Sequence, residues 1–263
     1  MDESSPNRQR RVRSFVRRPG RMTTSQSKAL EDLWPVFGID WSDGSEADAA
    51  DTKLPIDLAA EFGRVAPVVL EIGYGNGDTL VARAASDPDR NYLGIEVHEP
   101  GVGHCLIRAQ EAGVTNLRLL RRDAIDVLRS GLAPATLSRV NLYFPDPWPK
   151  KRHHKRRLLG AATAGALQRV LAAHGRLYMA TDWPDYAEQI GEVFDAAPGF
   201  LNLAGPGRTA PRYRGRVLTR FEERGIREGR RIVDFAYARR SAPPSTPAAD
   251  RQHVAEVTDH RKG

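Results

Sequence analysis

Cysteine is nearly absent: Cys105 is the only one in 263 residues. Intramolecular disulfides and multi-cysteine metal centres are therefore excluded, and a reducing cytoplasmic compartment is expected. The lone thiol reads as a packed helix residue rather than a nucleophile. No run of eighteen apolar residues occurs, so no membrane span is expected. The Arg-rich start has no apolar stretch and does not read as a secretory signal. No glycine loop is followed by Gly-Lys-Ser/Thr, which excludes a P-loop. No grouping of His, Cys and acids has metal-ligand spacing, and no internal repeat is visible, so neither a metal nor a solenoid is expected.

What the chain does carry is unevenly placed charge. Forty Lys and Arg stand against thirty-three Asp and Glu, a net +7. Residues 1–21 hold seven Arg and two acids, residues 150–157 read KKRHHKRR with no acid, and residues 205–231 hold nine Arg against three Glu. These segments carry +5, +6 and +6, leaving −10 on the rest. An acidic body with segregated basic segments is the footprint of a polyanion binder.

Residues 1–27 read as a basic, flexible arm, residues 40–52 (DWSDGSEADAADT) as a solvated acidic loop, and 241–263 as a flexible tail. The organised part runs from about Leu54 to Arg240, within a domain bounded at 28–240. Strands are predicted at 67–72, 91–97, 117–121, 139–144 and 175–180, with further runs at 199–203 and 231–238 forming an antiparallel edge pair. Helices are predicted at 78–86, 100–112, 124–130 and 156–173, the last with Leu159, Ala162, Ala166, Val170 and Ala173 on one face. Continuous apolar strands alternating with helices imply an α/β fold with a parallel sheet covered on both faces.

The first strand ends Glu71-Ile72-Gly73-Tyr74-Gly75-Asn76-Gly77-Asp78. Gly73, Gly75 and Gly77 permit a tight turn and close approach of a ligand. A dinucleotide fingerprint from Gly73 needs Gly or Ala where Asp78 stands, and two acids there repel a pyrophosphate. That disfavours a dehydrogenase. Glu96 ends the second strand, where a carboxylate can accept both ribose hydroxyls. Asp123 follows the third, placed for an adenine amino group. Each acid alone could equally be an N-cap or turn residue. Together, on the carboxyl edge of a parallel sheet, they describe a site for an adenosine bearing positive charge, which S-adenosylmethionine fits.

The fourth strand ends Tyr143-Phe144-Pro145-Asp146-Pro147-Trp148-Pro149-Lys150. Three prolines in five positions forbid helix there. Asp146 and Trp148 thus sit on a stiff loop that leads directly into the basic run, as expected where a base is read and its phosphates are gripped.

At this point the motifs become specific. PDPWPKKRHHKRR closely resembles the signature of the bacterial tRNA (guanine-N7)-methyltransferase family, as do EIGYGNG, GIEVHEPGVG, ATDW, TRFEERG and RSFVRRPGR, in the family's order over about 13–240. The resemblance implies a Rossmann-like class I S-adenosylmethionine-dependent methyltransferase: a mostly parallel seven-stranded sheet with helices on both faces and an antiparallel edge. It implies tRNA as partner, methylated at N7 of variable-loop guanine 46, in the cytoplasm, by a monomer or homodimer. Glu71, Glu96, Asp123 and Asp146 are implied to line the cofactor site, with Asp146 also catalytic. Lys150, Asp182 and Thr219, Arg220, Phe221 and Glu222 match substrate-contacting positions. Arg152, His153, His154, Lys155, Arg156 and Arg157 match the RNA-interacting stretch. Pro149 stands where the family usually has His. The rival readings are a non-catalytic RNA-binding module and a methyltransferase of an exocyclic amine or small metabolite, whose Asn/Asp-Pro-Pro-aromatic motif is absent.

Overall fold

The apolar runs become strands buried along their length. The computed structural model describes residues 20–42 and 55–241. There β1 (Val68–Ile72), β2 (Asn91–Ile95), β3 (Leu117–Leu120), β4 (Leu137–Tyr143), β5 (Leu171–Thr181), β6 (Phe200–Asn202) and β7 (Val233–Arg239) form one sheet in the order β3-β2-β1-β4-β5-β7-β6. Only β7 runs against the others. Every residue of β1 and β2 is buried, as a sheet covered on both sides requires. The strand order reverses between β1 and β4, and open α/β sheets bind ligands at the carboxyl ends flanking that reversal.

Two separate cores result. On one face, Leu70, Leu93, Val140, Leu142, Leu177 and Phe235 pack with α2 (Leu58–Phe62), α6 (Ala161–Val170) and α7 (Pro184–Ala196). On the other, Val69, Tyr92, Leu117 and Leu119 pack with α1 (Thr24–Phe37), α3 (Asp78–Ser86) and α4 (Glu99–Glu111). The second core spans β1 to β3 only. Over β4, β5 and β7, that face is covered by the segment before and including α8 (Arg220–Arg227).

Four expectations are corrected. Helix α1 begins at Thr24, inside the residues expected to be a flexible arm. Thr23 and Gln26 form a reciprocal capping box, and Ala29, Leu33 and Phe37 bury one stripe. The acidic loop begins later than expected: Ile39 and Trp41 are core residues, and Asp40 accepts from Trp34 Nε1 at 2.9 Å. Residues 43–54, 1–19 and 242–263 lie outside the described residues. The helix expected over 156–173 occupies only Ala161–Val170, because extended Gly160 caps it and Leu171 enters β5 beside Leu137. Its buried face is Thr163, Ala164, Leu167 and Val170, whereas Ala162 and Ala173 are exposed. The helix expected at 124–130 is a three-residue α5 (Ala124–Asp126) followed by one π-turn, Val127–Gly131.

The glycine turn fixes how α3 meets α4. Gly77 caps α3 with φ 80°, and a Cβ there would stand 2.4 Å from Cys105 Sγ. Cys105 is buried, and burial pushes its thiol pKa up, as expected for a packing residue. Gly77→Ala should therefore destabilise the protein by about 2–4 kcal/mol, from overlap plus a left-handed alanine. Adding Cys105→Ala should relieve the Sγ overlap and recover part of the loss, but not the 2.8 Å approach to Cβ or the backbone cost. Urea unfolding of the two variants checks this; an unaffected Gly77→Ala midpoint would refute it.

Candidate active site and nucleic-acid surface

Sheet order sets the site. Asp123 follows β3, Glu96 follows β2, Glu71 lies near the end of β1, and Asp146 follows β4. These are four adjacent strands in space, so the four acids share one carboxyl edge. The glycine turn lies at its centre. Gly73 and Gly75 have φ of 70° and 57°, and a Cβ on either would meet nothing within 4 Å. The space beside the turn is open to a ligand.

Each acid is held differently. Glu96 Oε2 accepts from Gly75 N at 3.0 Å, and Oε1 accepts from Val97 N and His98 N at 2.7 and 3.0 Å. Three of roughly four lone-pair sites on the carboxylate are therefore used, leaving room for one hydroxyl rather than both of a ribose. Asp123 caps α5 by accepting from Ile125 N, the local role weighed for it in the sequence, while remaining half-exposed. Glu71 is buried opposite Asn141 in the β1–β4 register. Burial pushes its pKa up to about 8, against the lowering effect of the Asn141 hydrogen bond. Near neutral pH this carboxyl is largely protonated until a cation arrives.

Buried polar atoms beside Glu71 still have capacity to bind. Asn141 Oδ1, Tyr143 OH and Thr79 Oγ1 have no partner among the described residues. Unsatisfied buried polar groups are costly, and their presence next to an open glycine turn fits S-adenosylmethionine, with its ammonium and hydroxyls.

The loop after β4 is stiff and strained. Phe144 and Trp148 have φ of 53° and 46°, each costing roughly 1–2 kcal/mol for a non-glycine residue. Asp146 is exposed on this loop. The basic run then forms a 3₁₀ helix, Lys151–Arg156. Three residues per turn eclipse positions three apart and sort the run into faces. His153 and Arg156 both meet Trp148, with ring centroids 5.7 Å apart for His153 and the guanidinium 4.9 Å from the ring for Arg156. His154 and Arg157 both face Asp185, at 3.6 and 2.8 Å. Arg152 and Lys155 point to solvent, as do Lys150 and Lys151. The neighbouring cations, after slight burial, hold His153 below its usual pKa. Arg157 departs from expectation: its side chain is buried and fully engaged, so it is not part of the outward phosphate-facing patch.

The TRFEERG stretch is also partly committed inward. Glu222 is buried, with both oxygens taken by Arg212 and Arg216, and it sits below its usual pKa. Burial opposes that lowering, and hydrogen bonds from the two arginines outweigh it. Arg216 is fully buried, also pairs with Asp234, and lies 5.2 and 5.4 Å from the rings of Tyr143 and Phe144. Glu222 therefore ties α8 to the sheet rather than offering an edge to a base. Thr219 caps α8 by accepting from Glu222 N. Asp182, after β5, pairs with Arg230 at 2.9 Å. The side chains of Arg220 and Phe221 lie outside the described residues. Sequence reading missed the arginine cluster because spacing shows charge but not partners.

Among the described residues no helix is long and apolar enough to cross a membrane, and no group of His, Cys, Asp and Glu could hold a metal ion. A family model described as "Putative methyltransferase" matches residues 65–235. The tRNA (guanine-N(7)-)-methyltransferase of Aeromonas hydrophila is 50% identical over 230 residues, covering 88% of this chain and 93% of that protein. The enzyme of the same name from Halorhodospira halophila is 47% identical over 228 residues, covering 87% and 95%. The solved 16S rRNA methyltransferase KamB is 16% identical, covers 73% of this chain and 97% of its own, and superposes with a TM-score of 0.50, a likeness of fold.

Glu71 gives the folded protein a pH signature. It releases its proton near pH 4.5 when unfolded and near 8 when folded. Between those values the folded state binds more protons, so stability falls as pH rises. Relative to wild type, Glu71→Gln should gain a few kcal/mol between about pH 5 and about pH 8.5 in urea titrations of cofactor-free protein. Parallel stability curves for the two proteins would refute the shift.

Proposed function

The chain belongs to the tRNA (guanine-N7)-methyltransferase family, and from that premise we propose that it methylates N7 of guanine 46 in the variable loop of tRNA. The observation that carries this reading is the carboxylate edge of four adjacent strands, continuous through the Asp146 loop with an outward row of cations. S-adenosylmethionine, when bound, supplies a methyl group activated by its sulfonium charge.

The residues around the glycine turn divide the binding. Glu71 and Asn141 take the cationic end, where a positive ligand ionises Glu71. Glu96, aimed by three backbone N–H groups, takes a ribose hydroxyl. Asp123 takes the adenine amino group. Guanine N7 already carries an in-plane lone pair, so no base is needed to remove a proton first. Positioning is then the main task, and good orientation can supply roughly 7–11 kcal/mol. Positive charge develops on the guanine ring, and a carboxylate beside it stabilises that charge or accepts the N1 and amino protons. Asp146 is assigned this role because it is exposed at the carboxyl edge, on the loop that leads into the basic run.

Lys150, Lys151, Arg152, Lys155 and Arg156 grip phosphates. Gly20 lies close to the same edge: a Cβ on it would stand 2.7 Å from His98 Nε2, two residues beyond Glu96. Residues 8–21, with their arginines, are proposed as a second grip on the tRNA.

Labelled S-adenosylmethionine and unmodified tRNA should yield 7-methylguanosine, mapped to position 46. A product at another guanine would overturn the position, and no product would favour a non-catalytic module. Asp146→Asn should lower the single-turnover rate about 10²-fold with tRNA affinity nearly unchanged; a wild-type rate would end the assignment.

Five phosphate contacts predict that log affinity falls against log salt with a slope of about −3.5 to −4.5. Replacing Arg152, Lys155 and Arg156 by Gln should flatten it by about one unit per contact. Filter binding across a salt series measures this, and an unchanged slope would mean that the run faces away from RNA.

A further inference from the structure

We propose that Arg157, the last cation of the basic run, is a positioning residue for the Asp146 loop rather than a phosphate contact. This rests on the reading of Asp146 given above. The guanidinium is buried, with side-chain exposure of 2%, in a run whose other cations reach solvent. Its donors are shared among three acceptors on two elements. Nε donates to the Pro147 carbonyl at 2.8 Å, one terminal nitrogen donates to Gln189 Oε1 at 2.8 Å, and the other donates to Asp185 Oδ2 at 2.8 Å. The plane lies over Tyr186, 4.8 Å from the ring centre.

Pro147 directly follows Asp146, so this hydrogen bond fixes the peptide that carries the carboxylate onward. The loop cannot be held by a backbone ladder, because Pro145, Pro147 and Pro149 have no N–H to give to one. Left-handed Phe144 and Trp148 persist only where the surroundings over-determine them. Asp185, Tyr186 and Gln189 all come from the first turns of α7, which begins just after Asp182. That platform is itself aligned. Tyr186 OH accepts from Leu159 N at 2.9 Å, and Gln189 Nε2 donates to Leu159 O at 3.0 Å. Arg157 thereby sets the loop after β4 against the loop after β5, the two that carry Asp146 and Asp182.

The rigid five-donor fork is what the position needs; a lysine can satisfy one acceptor at a time. Removing Arg157 also strands little charge, because Asp185 is 46% exposed. The fold should therefore survive substitution while the loop loosens, and small misplacements at a reacting centre cost rate steeply.

The test compares wild type with Arg157→Lys, Arg157→Gln and Gln189→Ala in the full chain. It uses single-turnover methylation at saturating tRNA, the salt dependence of tRNA affinity, and hydrogen exchange in the peptide 144–150. In Arg157→Lys the saturating rate should fall about tenfold or more, exchange should quicken, and the salt slope should stay at the wild-type value. Gln189→Ala should show the same signs more weakly, and the double variant should lose less than the product of the two. A slope shallower by about one in the charge-removing Arg157→Gln would overturn the proposal, with or without a loss of rate. Unchanged rate and exchange would overturn it too. Should Arg157→Lys fail to fold, Gln189→Ala, which keeps the ion pair, decides by the same signs. A wild-type protein that does not methylate tRNA would refute the guanine reading, while the exchange and slope measurements would still judge Arg157.

Discussion

A parallel sheet must be covered on both faces, and here helices cover one face fully and the other only over β1 to β3. The remaining half-face, formed by β4, β5 and β7, presents Arg139, Asn141, Tyr143 and Tyr178, residues that no apolar helix could seal. It is closed by a polar segment whose fastening is the Arg216 guanidinium, buried against Glu222, Asp234 and the rings of Tyr143 and Phe144. Tyr213, on the same segment, stacks on Tyr178 with ring centroids 4.2 Å apart. Burying such charges is expensive, and removing one partner strands the others. What the arrangement provides in return is direction, because a planar fork binding two carboxylates admits few orientations of α8 against β7.

The active edge inherits that direction. The strand leading to Asp146 is gripped from the polar face by Arg216 and from the apolar-core face by the α7 platform through Arg157. Between them lies a loop that has given up most of its backbone donors to proline. Such a loop neither folds into a ladder nor wanders, so its carboxylate can be placed by side chains belonging to other elements. The same economy explains why the site's open half keeps unsatisfied polar atoms: a half-face closed by polar residues can leave Asn141 Oδ1 and Tyr143 OH facing a ligand space, whereas a helix-covered face would exclude them.

Much of this was legible in the chain. The apolar runs located all seven strands, most directly β1 and β2, which are buried along their whole length. Helix α3 follows from Gly77 and the stripe after it. The four acids were found because each directly follows or ends such a run. What escaped has physical causes. Helix α1 announces itself only through Thr23, Gln26 and three spaced apolar residues, and an adjacent arginine-rich stretch masks it. Helix α6 is shorter than its alanine spacing suggests, since alanine marks helical propensity without demanding burial, and pairing with β4 claims residues from Leu171 onward. Glu222 and Arg157 look like exposed ligands in sequence. Their partners lie 6 to 32 residues away, and only the fold brings them together.

Charge counting shows the limit most clearly. The segment 205–231 carries +6, yet Arg212, Arg216, Arg224 and Arg230 are all paired with acids inside the molecule. The run at 150–157 is different because its backbone is a 3₁₀ helix. A period of three places 153 with 156 on Trp148, 154 with 157 on Asp185, and 152 with 155 toward solvent. An α-helical period of 3.6 would have smeared these pairs around the axis, turning inward cations outward and leaving the loop unanchored. The three prolines before the run keep an α-helix from extending back through the loop. Backbone geometry therefore decides which cations of one short stretch face solvent and which face the loop. Arg152 and Arg157, five positions apart and chemically identical, end in opposite surroundings for that reason.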